Sequence, residues 1–158
     1  RIWIGERHTV LRDELARLAR EVWRAERVVI DATGIGTGLA SFLEERLSDR
    51  RLGRVIPIEK FLFSAKSKSQ MGWDFIGLID TGRYKEYRDD GAPGSAGQRI
   101  TEQFWAECKG IEFQTLVGPN RMMTWAAAGK GHDDLVMSAA LVTRLDGHDW
   151  RPRVARGV

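Results

Sequence analysis

Carboxylate residues at two distant places in the chain could share one chemical task. Asp31 ends the apolar run "RVVID", and Asp133 and Asp134 stand side by side in "GKGHDDLVMSAAL". Carboxylate oxygens are the ligands that Mg²⁺ and Mn²⁺ prefer in proteins. A single cysteine, Cys108, and one histidine beside the acidic pair argue against zinc, which favours nitrogen and sulfur ligands. The three aspartates therefore predict a divalent-metal site for phosphodiester chemistry.

A strand followed by a glycine-rich turn must position Asp31. The run "RVVID" predicts a strand buried on both faces, and functional side chains gather at the carboxyl ends of such strands. Asp31 could equally cap the turn through nearby backbone amides. The glycines that follow, Gly34, Gly36 and Gly38, do not have the spacing of the dinucleotide-binding motif. The turn also has no lysine of the kind that ends a Walker A motif. The glycines could simply let the strand turn sharply into a helix, which leaves dinucleotide binding, with Glu59 as a nominal ribose ligand, as a weaker interpretation.

The start of an apolar helix must position the acidic pair. The residues after Asp134, "LVMSAALV", predict a buried helix whose first turn is held rigidly against a sheet. One aspartate at such a start is ordinary, because acidic residues favour helix N-termini. Two carboxylates together with His132 exceed what capping requires, so the pair favours a metal site.

The rest of the chain alternates strands and helices, which predicts an α/β domain with helices on both faces of a sheet. Short strands are expected in "RIWIGER" and "GRVIPIEKFLF", and a hairpin in "IEFQTLV" and "RMMTWAA". The 158 residues suit one domain, which we place at residues 1–147, followed by a basic tail at residues 148–158 that could touch nucleic acid. No apolar run is long enough to span a membrane, and the lone cysteine favours a reducing compartment.

Charge gives a weak indication of a polyanionic partner. The chain has 25 Lys and Arg against 22 Asp and Glu, an excess that tolerates nucleic acid without demanding it. Lys66 and Lys68 lie in "FSAKSKSQ", between a strand and the start of a helix. They could be solvated loop residues, or they could bind DNA phosphates near the helix N-terminus.

Three blocks of the sequence together resemble a known family. "VVIDATGIGTGLASFL", "FLFSAKSKSQMGWDFIGLIDTGRYKEY" and "GKGHDDLVMSAALV" resemble the nuclease domain of the large terminase subunit of tailed bacteriophages. The resemblance implies an RNase H-like mixed sheet flanked by helices on both faces. It also implies an endonuclease with a two-metal site for Mg²⁺ or Mn²⁺, which cuts concatemeric viral DNA during genome packaging. It matches Asp31 to the family's strand aspartate, and Asp133 and Asp134 to the acidic pair before its last helix.

The same resemblance implies a biological setting. It places double-stranded DNA in the site, an ATPase domain upstream, and the portal and the small terminase subunit as partners, in the cytoplasm of a bacterial host. The family's first catalytic aspartate has no counterpart here, since neither Glu6 nor Asp13 matches its position. We therefore expect this chain to begin inside the nuclease domain, without its first strands, and to cut DNA slowly or not at all. A non-catalytic prophage remnant that binds DNA or a packaging partner is the alternative, and a small nucleotide-binding oxidoreductase is a third.

Overall fold

The computed structural model describes residues 2–86 and 92–148. These residues form an α/β protein, in agreement with the predicted class. The helices are α1 His8–Arg17, α2 Gly36–Ser48, α3 Ala65–Asp80, α4 Ala96–Gly110, α5 Asp134–Ala140 and α6 Thr143–Asp146. The strands are β1 Val28–Asp31, β2 Ile58–Phe61, β3 Ile111–Thr115 and β4 Met123–Ala127. A π-helical turn, Leu18–Val22, extends α1, and a 3₁₀ turn, Arg50–Leu52, follows α2.

Strands β1 and β2 form a parallel pair with apolar side chains on both faces. The register sets Val28 beside Ile58 and Asp31 beside Phe61. Alternation along β1 sends Val28 and Ile30 to one face, where they pack with a core that includes buried residues of α1 and α2. On the opposite face, Val29 and Phe61 join a second core shared with α3, α4, β4 and α5. The pair therefore has helices on both sides, as the apolar run in β1 predicts, but Val28, Val29 and Ile30 are only partly buried and Asp31 is exposed.

Strands β3 and β4 form the predicted antiparallel hairpin, with Phe113 opposite Trp125. Met123 and Trp125 are buried against α3, and the close approach depends on Gly72. A Cβ atom on Gly72 would lie 2.6 Å from Trp125 Nε1, which is too close for any side chain. Strand β3 is the outer strand, and Phe113 keeps 67% of its surface exposed.

The strands do not combine into one mixed sheet. Within the part of the chain that the structure describes, β1–β2 and β3–β4 are separate two-stranded sheets. The strand expected in "RIWIGER" is wrong for the described residues 2–7, which contain no strand. Ile4 there is 89% exposed, so the segment does not present the half-buried apolar surface on which a strand depends. The α/β class is confirmed, whereas the RNase H-like arrangement stays a prediction.

The last apolar segment forms two short helices, α5 and α6, instead of the expected single buried helix. Val136 and Ala140 are buried, but Ser138 and Val142 are exposed, so only one stripe of the segment faces the core. Of the basic tail predicted at residues 148–158, all but residue 148 lies outside the described residues. None of the helices that the structure describes combines the length and apolar character needed to cross a membrane.

Candidate functional site

A cleft of about 530 Å³ lies between the end of β1 and the start of α5. All three predicted carboxylates, Asp31, Asp133 and Asp134, line it, together with Lys68 of α3. The remaining lining residues are mostly apolar: Val29, Ile30, Thr33, Phe63, Met137, Ser138 and Leu141. The fold thus brings to one cleft two acidic segments that are far apart in the sequence.

Asp31 is held by a turn formed from its own neighbours. Its Oδ1 accepts a hydrogen bond from the Thr33 backbone N–H at 2.8 Å. The Thr33 hydroxyl in turn accepts from the Phe63 N–H at 2.8 Å, which ties the loop after β1 to the end of β2. The turn-capping interpretation is therefore correct for one carboxylate oxygen. The second oxygen, Oδ2, has no hydrogen-bonding partner among the described residues, so Asp31 can hold the turn and still face a ligand.

The glycines after Asp31 are explained by the turn itself. Gly34 has a φ of +56°, a left-handed conformation that side chains disfavour. A Cβ atom on Gly36 would lie 2.5 Å from the Asp31 carbonyl oxygen, so only glycine allows α2 to begin directly over the end of β1. These two residues fix the direction in which the chain leaves Asp31.

Asp133 occupies the N-cap position of α5 without capping it. It lies directly before the helix with a φ of −132°, and its side chain makes no cap hydrogen bond. Its Oδ2 instead accepts a hydrogen bond from the Ala127 backbone N–H at 3.4 Å and lies 3.8 Å from Lys68 Nζ. Only 26% of the side chain is exposed. The Asp133 carboxylate is therefore directed into the cleft, towards a cation.

The cap of α5 comes from Glu107, which was not predicted from the sequence. Glu107 lies on α4 and is only 6% exposed. Its Oε2 accepts hydrogen bonds from the backbone N–H groups of Leu135 at 2.7 Å and Val136 at 3.4 Å, and its Oε1 accepts from Gln103 Nε2 at 3.0 Å. One feature of the sequence could have indicated this role. Glu107 lies three residues after Phe104, and this spacing puts its carboxylate on the apolar face of α4.

Asp134 lines the cleft on its solvent-exposed side, and His132 lies beside Asp134 without lining the cleft. The Asp134 side chain is 87% exposed and its Oδ2 is 3.9 Å from His132 Nδ1, itself 79% exposed. The expectation that both carboxylates and the histidine share one rigid, buried helix start is wrong for these two residues. The first turn of α5 has one side towards solvent, and Asp134 lies on that side.

The two predicted DNA-binding lysines point in different directions. Positions two apart on a helix do not share a face, and Lys68 and Lys66 are both in α3. Lys68 Nζ lies in the cleft and 5.4 Å from the centre of the Trp125 ring. Lys66 lines a separate depression of about 260 Å³, with Arg144 among its other residues. The structure does not bring the two lysines together.

The residue types in the cleft match one class of metal ion. Three carboxylates and one ammonium line it, so its formal charge is −2. No three His, Cys, Asp or Glu side chains within residues 2–86 and 92–148 form a group that could enclose an ion. Mg²⁺, however, is usually bound by one or two carboxylates, with water and substrate phosphates supplying the remaining ligands. Asp31 and Asp133 fit that partial set, because one has an unused oxygen and the other already faces a cation.

Comparison with family models, curated proteins and solved structures found no match for this chain.

Proposed function

We propose that the cleft is a divalent-metal site that binds and hydrolyses phosphodiesters in double-stranded DNA, as the resemblance to terminase nuclease domains implies. Asp31 and Asp133 hold the ion, and Asp134 stands at the mouth of the cleft. The observation that carries the proposal is the convergence of three carboxylates, from the end of a strand and the start of a helix, on one cleft.

Charge explains why a cation is needed there. A cleft of formal charge −2 repels a DNA phosphate, and a bound divalent ion removes that repulsion. When bound, such an ion polarises the phosphate and lowers the pKa of an attacking water. Lys68 adds an ammonium to the cleft wall, where it can donate to a non-bridging phosphate oxygen. Phe63, Met137 and Leu141 add apolar surface to the lining of the cleft.

The packaging setting is proposed on the resemblance alone. It comprises an upstream ATPase domain, the portal and small terminase subunit as partners, and cleavage of concatemeric DNA in the bacterial cytoplasm.

The test is the dependence of DNA binding and nicking on metal. Fluorescence anisotropy with a labelled duplex should show at least about tenfold tighter binding in Mn²⁺ than in EDTA, since the ion removes the charge repulsion. Supercoiled plasmid should be nicked slowly in Mn²⁺. Asp31→Asn and Asp133→Asn should abolish both effects. Asp80→Asn, an exposed carboxylate at the end of α3, should change neither.

One observation favours the non-catalytic alternative, in which the domain only binds DNA or a packaging partner. The 3.8 Å pair between Lys68 and Asp133 offsets one carboxylate without any metal. On this alternative, duplex affinity would be equal in Mn²⁺ and in EDTA, and the two Asp→Asn variants would bind DNA at least as well as the wild type. Those results, together with an absence of nicking, would contradict the nuclease proposal.

A further inference from the structure

We propose that Glu107 is a positioning residue that caps α5 in place of Asp133 and thereby keeps the Asp133 carboxylate in the cleft. As far as it concerns a metal ligand, this inference rests on the proposed function. The capping of α5 by Glu107 in place of Asp133, here called the exchange of caps, is a property of the metal-free protein and can be tested separately.

The hydrogen bonds at the start of α5 show the exchange. The first N–H groups of a helix lack partners within the helix, and an N-cap aspartate ordinarily accepts from the second or third of them. Asp133 is the N-cap residue of α5, so those two groups belong to Leu135 and Val136. Both donate to Glu107 Oε2, at 2.7 and 3.4 Å. Two carboxylates therefore compete for one pair of amides, and the carboxylate from α4 occupies them.

Burial explains why Glu107 holds this position. A carboxylate that is 6% exposed is costly to leave without donors, and the amides of α5 are its donors together with Gln103 Nε2. Asp133 is more exposed and has two other partners, the Ala127 N–H at 3.4 Å and Lys68 Nζ at 3.8 Å. The arrangement in which Glu107 caps the helix and Asp133 faces Lys68 gives both carboxylates a partner.

Removal of Glu107 should reverse the arrangement. The amides of Leu135 and Val136 would lose their acceptor, and Asp133 is the nearest residue along the chain able to replace it. An Asp133 side chain turned back onto its own helix no longer faces the cleft. Glu107 does not line the cleft, so any effect of its loss on metal binding must act through the start of α5, where Asp133 faces Lys68 and Asp134 is exposed.

A double-mutant cycle in EDTA tests the exchange of caps. Urea unfolding is measured for the wild type, Glu107→Ala, Asp133→Ala and the double variant. Asp133→Ala should change the unfolding equilibrium constant less than about twofold in the wild type, but should raise it about fivefold when Glu107 is absent, because only then does Asp133 cap the helix. Equal effects in the two backgrounds would overturn the proposal. Glu107→Asp, one methylene shorter, replaces Glu107→Ala in both measurements if the latter does not fold.

Mn²⁺ binding, followed by calorimetric titration, tests the consequence for the cleft. Glu107→Ala should lower Mn²⁺ affinity about tenfold, the scale seen when residues behind metal ligands are lost. Glu107→Gln keeps an acceptor oxygen and should retain most of the affinity. Glu102→Ala, which removes an exposed carboxylate from the same helix, should have no effect. Unchanged affinity in Glu107→Ala would overturn the positioning role, whereas an absence of Mn²⁺ binding in the wild type would overturn the proposed function and leave the unfolding cycle valid.

Discussion

Asp31 and Asp133 face the same cleft but are positioned in opposite ways. Asp31 is fixed by its own neighbours, since Thr33 two residues away donates to its side chain and Gly36 makes room for its carbonyl. Asp133 is positioned by residues of other helices. Lys68 of α3 faces its carboxylate, and Glu107 of α4 accepts the hydrogen bonds of the α5 amides that Asp133 would otherwise cap. The first carboxylate therefore depends on the sequence of a turn, and the second on how helices pack.

The first prediction concerns the turn that positions Asp31. Gly36→Ala places a Cβ atom 2.5 Å from the Asp31 carbonyl oxygen, a backbone atom that cannot move without shifting the end of β1. We expect the free energy of unfolding to fall by about 1–3 kcal/mol.

Gly38→Ala is the matched control for Gly36→Ala. Its Cβ atom would meet nothing closer than 3.7 Å, and alanine is the better helix former, so we expect a gain of about 0.5–1 kcal/mol. Urea unfolding measures both variants. Similar losses in the two would show that the close approach at Asp31 does not hold the turn.

The second prediction compares two N-cap residues. Ser64, the N-cap residue of α3, caps its own helix, because its Oγ accepts a hydrogen bond from the Ser67 N–H at 3.1 Å. Ser64→Ala should lower the free energy of unfolding by about 1 kcal/mol. Asp133→Ala, at the same position of α5, should change it by less than about 0.5 kcal/mol, since Asp133 makes no cap hydrogen bond and its bond from the Ala127 N–H is long, at 3.4 Å. A loss at Asp133 as large as at Ser64 would contradict the role of Glu107.

The third prediction separates the two roles of Asp31. Asp31→Asn keeps the oxygen that accepts from Thr33, whereas Asp31→Ala removes it. In EDTA we expect Asp31→Ala to be less stable than Asp31→Asn by about 0.5 kcal/mol, the low end for a hydrogen bond because the site is exposed. Both variants should lose the increase in stability that Mn²⁺ gives the wild type. If Mn²⁺ still stabilised Asp31→Asn as it does the wild type, Asp31 would be a turn cap and not a metal ligand.

The fourth prediction concerns the contribution of Lys66 and Lys68 to DNA binding. Lys68 lies in the cleft and Lys66 outside it. Lys68→Ala should therefore lower the slope of log affinity for duplex DNA against log salt concentration by about 0.9, the value for one phosphate contact. Lys66→Ala should leave the slope unchanged. The reverse result would place DNA on the side of α3 away from the cleft.

The sequence was sufficient wherever structure depends on near neighbours. The strand ending at Asp31, the glycine turn and the hairpin of β3 and β4 were all predictable, because alternation, turn residues and short loops act over a few positions. The three carboxylates that line the cleft were also named from the sequence, since both segments have a recognisable local form.

The remaining features depend on contacts between distant segments. Whether an aspartate at a helix start caps it depends on what else reaches the amides, and Glu107 is far from Asp133 in the sequence. The exposure of Asp134, the separation of Lys66 from Lys68 and the division into two sheets likewise follow from packing. An apolar pattern alone could not distinguish the half-buried α5 from a fully buried helix, because three-dimensional neighbours decide burial.

The proposed metal site requires that Asp31 and Asp133 bind the same ion. Calorimetric titration with Mn²⁺ is made for the wild type, Asp31→Asn, Asp133→Asn and the double variant. We predict one site in the wild type, a loss of at least about tenfold in affinity in each single variant, and little further loss in the double variant, because two ligands of one ion are strongly coupled. Losses that simply add, or Mn²⁺ affinity that survives in the double variant, would show that the two carboxylates do not form one metal site.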